Sequence, residues 1–171
     1  MANVRRIRQT PSPVRIKKIL VPIDFSEHSK YALQYAVRFA ELFNAEVLLC
    51  YVVEPVIYPA DFSMGQVGIP NVEDELRLRG QEELDKLVAK HLKKRAVARK
   101  VRTFVLTGRP SGEIVRLAET ENVDLIVIAA HGHGAVGHLL FGSTTERVVR
   151  KAPCPVLTVR GGVLNDPRVA I

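Results

Sequence analysis

Short blocks of nearly continuous apolar residues alternate along this chain with longer segments whose apolar positions recur every three or four residues. Lys18-Ile-Leu-Val-Pro-Ile23 is the first block, and a short all-apolar run predicts a strand covered on both faces. Ser26 then precedes Ala32, Leu33, Ala36, Phe39, Ala40 and Phe43, a spacing that predicts a helix to about Phe43 capped by Ser26. Val47 to Val53 predicts a second buried strand. Residues 54–70 hold three prolines and two glycines, which predicts a long loop. From about Asn71 to Ala98, Leu84, Leu87, Val88 and Leu92 share one face among dense charges, which predicts a single helix. A strand over Val101 to Leu106, a helix over Pro110 to Glu121 and a strand over Asp124 to Ala130 follow. After a loop rich in Gly and His come a helix over Ser143 to Lys151 and a last strand over Pro155 to Arg160.

This β-α-β-α-β-α-β-α-β alternation predicts an α/β fold, an open parallel sheet with helices on both faces, because parallel strands need right-handed crossovers. No internal repeat is present, so residues 17–160 read as one domain. The basic segment 1–16, with Pro11 and Pro13, reads as a flexible N-terminal extension, and 161–171 as a C-terminal tail. In such sheets ligands sit beyond the carboxyl ends of the strands, where strand order reverses. The residues after Ile23, Val53 and Ala130 are therefore the places to look for chemistry.

Composition changes this picture little. The 171 residues are 47% apolar and 25% charged, ordinary for a soluble globular protein. The longest apolar runs fall far short of the roughly 20 residues that span a bilayer. The net charge of +7 is more informative by its location. Arg5, Arg6, Arg8, Arg15, Lys17 and Lys18 stand in the first 18 residues without an acid, and a second cluster runs from Lys93 to Arg102. The rest is close to neutral. A basic tail can hold nucleic acid or an anionic membrane, but no aromatics are interleaved to stack on bases, so a solvated extension is the favoured reading. It has no apolar core of a secretory signal. Cys50 and Cys154 form no CxxC pair and read as buried or half-buried thiols of a reducing compartment, the cytoplasm.

The richest chemistry lies between Ala129 and Glu146. Gly132, Gly134 and Gly137 spell a formal GxGxxG, yet no acid terminates the next strand, as a dinucleotide fingerprint requires. No P-loop is present. Gly142-Ser143-Thr144-Thr145 opens a helix, whose first N–H groups and partial positive charge suit an anion. An ordinary helix cap is the competing reading. His131, His133 and His138 do not make a metal site, because no Cys or carboxylate is placed locally to complete one. No nucleophile, paired carboxylate or triad accompanies Asp24, so efficient catalysis is not indicated.

The spacing of Gly132, nine residues, then Gly142-Ser143 resembles the Gly-x2-Gly-x9-Gly-Ser/Thr signature of the universal stress protein family. Lys18-Ile-Leu-Val-Pro-Ile-Asp-Phe-Ser26 resembles that family's first strand with its terminal Asp. Thr107-Gly-Arg-Pro110 with Glu113-Ile114 is similar to its third-helix opening, and Ala152-Pro-Cys-Pro-Val-Leu-Thr-Val-Arg160 to its closing strand. The resemblance covers about residues 17–160.

It implies a Rossmann-like five-stranded parallel sheet in order 3-2-1-4-5 and an ATP or AMP site at the switch point, with Mg²⁺ as an ion carried by the phosphates. Carried over by position, Pro22 and Asp24 flank the adenosine and Val52 meets the adenine through its backbone. Ala129, Ala130, His131, Gly132, His133, Gly134 and Ala135 wrap the ribose and phosphates, and Gly142, Ser143, Thr144 and Thr145 hold the phosphate chain. It also implies a homodimer paired through the last strand, 155–160. One departure stands out: Ala129 occupies the position of the motif's first glycine. The function expected is a nucleotide-binding stress-response regulator of the cytoplasm. The alternatives are a nucleotide-free member acting through contacts with a protein partner, or a slow ATPase.

Overall fold

A computed structural model describes residues 14–55, 72–93, 95–132 and 141–161. Five strands, β1 (Lys18–Pro22), β2 (Glu46–Val53), β3 (Val101–Thr107), β4 (Leu125–Ala129) and β5 (Val156–Val159), form one sheet in the order β3-β2-β1-β4-β5. All four pairings are parallel. This is the order the resemblance implies. The sequence reverses direction across the sheet between β1 and β4, so their carboxyl ends flank the crevice where an α/β fold holds ligands.

Four helices, α1 (Glu27–Phe43), α2 (Val72–His91), α3 (Pro110–Thr120) and α4 (Ser143–Lys151), cover the two faces. Successive strand residues point to opposite faces, and each face has its own apolar layer. Ile19, Val21, Val47, Leu49 and Val127 pack with Ala32, Ala36, Leu84 and Leu87 of α1 and α2. Leu20, Leu48, Cys50, Ile126 and Ile128 pack with Ile114, Leu117 and Val148 of α3 and α4. That double coverage is why the strands read as unbroken apolar runs. Ser26 caps α1 as the spacing predicts, its side chain accepting from Ser29 N at 3.1 Å.

The segment predicted as one helix to Ala98 is divided. The helix ends at His91, where Leu92 N and Lys93 N both donate to the Val88 carbonyl, and a 3-10 turn follows at Ala96–Lys100. Leu92 and Val97 are both buried. Five residues of continued α-helix would set them roughly 140° apart, so both reach the core only if the helix stops. The ends of β4 and β5 are also shorter than predicted. Asp124 stands just before β4, its carboxylate accepting from Lys17 N and Lys18 N at 2.7 and 3.0 Å.

Three residues of the second basic cluster are paired with the body. Arg95 bonds Glu41 at 2.6 Å, Lys100 bonds Asn44 Oδ1 at 2.6 Å, and Arg102 grips both oxygens of Glu121 at 2.7 and 2.9 Å.

Candidate functional site

At the carboxyl ends of β1, β2 and β4, next to the first turn of α4, lies a cavity of about 610 Å³. That is within the usual range for small-molecule sites, roughly 300–1,000 Å³. Pro22, Asp24, Val52, Ala129, His131, Gly132 and the run Gly142 to Thr145 all line it. Ala130 does not; it is fully buried, its N–H bonded to Val159 O and its carbonyl to Gly142 N, both at 2.8 Å. The expectations for His133, Gly134 and Ala135, and for loop 54–70 beyond Pro55, lie outside the described residues.

Asp24 is fixed by its own turn. Its Oδ1 accepts from Ser26 N at 3.0 Å and from Ser26 Oγ at 2.6 Å. Phe25, between them, holds φ at 64°, a left-handed conformation that is uncommon for a bulky side chain. The Phe25 ring packs against Tyr51 with centroids 4.8 Å apart. Tyr51 in turn lies on Gly80 of α2, where an added Cβ would come within 2.6 Å of the ring. An aromatic wedge thus supports the turn that carries Asp24, itself a residue with further contacts.

The two described glycines of the motif differ. A Cβ on Gly132 would collide with Asp24 Oδ2. A Cβ on Gly142 would meet nothing nearer than 3.7 Å, and its φ of −69° suits any residue. A Cβ at Gly132 would require the Asp24 carboxylate to move, whereas one at Gly142 would displace nothing described.

Gly142 is the N-cap of α4, and no side chain among the described residues caps that end. The first N–H groups of a helix have no intrahelical acceptor, so they are available to a ligand entering the cavity. Ser143 and Thr144 bring hydroxyls to the same turn. Thr145 is placed differently: its hydroxyl donates to Ala129 O at 2.8 Å in a buried setting, pinning α4 to the end of β4. Ala129 itself is 6% exposed and joins the apolar layer of Val21, Ile23 and Val127 under α1. Its methyl is therefore absorbed in the core on the face away from α3 and α4.

Sequence reasoning missed Tyr51, Glu54, Pro110, Ile114 and Phe141, which also line the cavity. Glu54 was findable as the first acid beyond β2. Pro110 and Ile114 are four apart on α3 and so share a face. Cys50 is in the wall too, its thiol pushed up to about 12 by burial, which leaves it unreactive.

The model of the universal stress protein family matches residues 15–160. This chain belongs to the universal stress protein family. Its relatives include universal stress protein MJ0577 of Methanocaldococcus jannaschii, 36% identical over 157 residues, spanning 86% of this chain and 96% of the relative. The structure of MJ0577 superposes with a TM-score of 0.72 at 29% identity, covering 88% and 99% of the two chains. Universal stress protein UspA from Lactobacillus plantarum gives 0.72 at 27%, over 86% and 100%. A universal stress protein from Archaeoglobus fulgidus, solved in complex with dAMP, shares the fold with a TM-score of 0.57 at 20% identity, over 85% and 98%.

Proposed function

We propose that this universal stress protein is a regulator that binds an adenine nucleotide, ATP or AMP, in the cavity at the switch point, responding to stress or energy state. The observation that carries this reading is the start of α4, with no capping side chain among the described residues, facing a cavity of about 610 Å³ that the Asp24 carboxylate also lines. Backbone N–H groups at a helix start take phosphate; a fixed carboxylate takes the hydroxyls of a ribose or an amino group of a base. The residues present fit such a ligand: Gly142 leaves open space where a side chain would stand, and the methyl of Ala129 is packed in the core. The same fold in A. fulgidus holds dAMP.

In this reading Pro22, Asp24 and the Val52 backbone hold the adenosine. His131 and Gly132 border the ribose, and the N–H groups and hydroxyls of Ser143 and Thr144 receive the phosphates. Thr145 acts indirectly, by fixing α4 against Ala129. A magnesium ion bound to a polyphosphate would supply charge neutralisation there. The two free thiols accord with work in the reducing cytoplasm. The protein acts as a homodimer joined through β5, an edge strand with partly exposed Val156, Leu157 and Thr158.

Calorimetric titration of nucleotide-stripped protein with AMP, and with ATP plus Mg²⁺, tests the site. Saturable binding at micromolar concentration is expected; no binding up to millimolar nucleotide overturns the reading and favours a member acting through protein contacts. For the dimer, Thr158→Pro removes an edge N–H and is expected to shift sedimentation toward monomer at micromolar protein. Unchanged sedimentation would count against pairing through β5.

A further inference from the structure

We propose that the rim of the sheet where the strands begin docks on an anionic phospholipid surface. All five strands are parallel, so the segments that enter them lie at this one rim, opposite the switch-point cavity. Arg15 and Lys17 stand before β1, Lys93, Arg99 and Lys100 before β3, and Lys151 before β5, and all six are exposed. Arg15, Lys17, Lys93 and Arg99 take part in none of the ion pairs formed among the described residues. The acids of this rim are more withdrawn. Glu41, Glu46, Glu121 and Asp124 are half-buried and already engaged by Arg95, by Arg102 or by the backbone N–H groups of Lys17 and Lys18. Glu119 and Asp85 are exposed, the latter lining a hollow together with Lys93. The sequence upstream of Val14 adds Arg5, Arg6 and Arg8 and no acid.

Cations at helix ends offset the helix dipole, but Arg15 and Lys17 precede every helix among the described residues and have no such role. What directs the rim toward lipid is its apolar part. Val14 and Leu42 are 77% and 75% exposed, the highest values among the large apolar side chains of the described residues. The segments that carry them are tied together beside the cations. Glu46 N donates to Lys17 O at 2.7 Å, and Lys100 Nζ donates to the carbonyl of Asn44, just beyond Leu42, at 3.1 Å. Aliphatic side chains among Lys and Arg suit the boundary between headgroups and acyl chains, where lipid phosphates meet the cations. Single-stranded nucleic acid calls instead for exposed aromatic faces. Phe43 and Phe104 are half-buried, one stacked on Phe39 and the other beneath the Arg102 guanidinium. Contact at this rim leaves the cavity at the other rim open to solution.

The test is cosedimentation of the full chain with vesicles of phosphatidylcholine mixed with phosphatidylglycerol, and with vesicles of phosphatidylcholine alone, at about 50 and about 500 mM KCl. Binding is expected on the anionic vesicles only, and to weaken at least about tenfold at the higher salt. Lys93→Glu combined with Arg99→Glu is expected to weaken it at least about tenfold at the lower salt, with the melting temperature unchanged because neither side chain is paired. Leu42→Ser is expected to weaken it at least about threefold, since an aliphatic contact with the acyl boundary is lost. Absence of binding to the anionic vesicles at the lower salt overturns the proposal. So does unchanged binding of the Lys93→Glu, Arg99→Glu variant, which would assign the lipid to the N-terminal extension alone. A fluorescent oligonucleotide, single-stranded or duplex, that binds more tightly than the vesicles at the same salt also overturns it and makes nucleic acid the occupant of this rim.

Discussion

The two rims of the sheet are built on different terms. Where the strands begin, Asp124 gathers Lys17 N and Lys18 N, while Lys18 and Arg102 share Glu121. Arg102 also reaches Glu46, and Arg95 reaches Glu41. Among the described residues, every ion pair joining different segments of the fold lies at this rim. Where the strands end, the pairs remain within single helices, as in Lys30 with Glu27, Arg116 with Glu113 and Arg150 with Glu146. There the chain has the Phe25 turn that carries Asp24 and a helix start with no capping side chain among the described residues. Among the described residues, one rim ties separate segments together by ion pairs, and the other gathers the residues that line the cavity.

Substitutions at the two rims should therefore separate binding from stability. Gly142→Val has the largest expected effect: nucleotide affinity falls at least about 100-fold, or about 2.7 kcal/mol. An added Cβ meets nothing nearer than 3.7 Å, so the main stability cost is the poorer N-cap, about 1 kcal/mol, and the melting temperature falls by no more than about 4 °C. A variant that melts much lower would mean Gly142 serves packing, and the contrast between rims would weaken.

Asp124→Ala should do the opposite. Losing a charged acceptor from two backbone N–H groups is expected to cost about 2 kcal/mol, or roughly 4–8 °C in melting temperature. Nucleotide affinity should hold within twofold by calorimetry, and a large loss of binding would show that the rims are coupled.

The smallest effect belongs to Arg102→Ala. Its side chain is 46% exposed, so the pair with Glu121 should contribute only about 0.5 kcal/mol at neutral pH. The Arg102 hydrogen bond, against the opposing effect of burial, holds the Glu121 carboxyl below its ordinary 4.5. A lowered folded-state value means that this stabilisation is present above about pH 4.5 and fades as pH falls through the lowered value. The gap between wild type and Arg102→Ala in urea unfolding should accordingly close in acid. A gap that widens would contradict the assignment.

Much of this architecture was legible because its signals are local or repeated. Unbroken apolar runs marked the strands, Ser26 marked the start of α1, and Gly142-Ser143-Thr144 marked the first turn of α4. The order of strands came with the family resemblance, since periodicity says nothing of which strand lies beside which. What escaped depends on tertiary contact. No Gly or Pro announces the stop at His91, which burial of both Leu92 and Val97 imposes. Thr145 reads like its neighbours until its hydroxyl is seen to be taken by Ala129 O. The placement of the Ala129 methyl, in the layer beneath α1, is likewise a matter of tertiary contact.

The wedge of Tyr51 between Phe25 and Gly80 has a practical side. The chain contains no tryptophan and four tyrosines, so its ultraviolet emission comes from few rings. One of them forms part of the cavity wall and presses on the turn that carries Asp24. The domain carries an intrinsic optical reporter, and titrations followed by tyrosine fluorescence can watch this crevice fill without any added label.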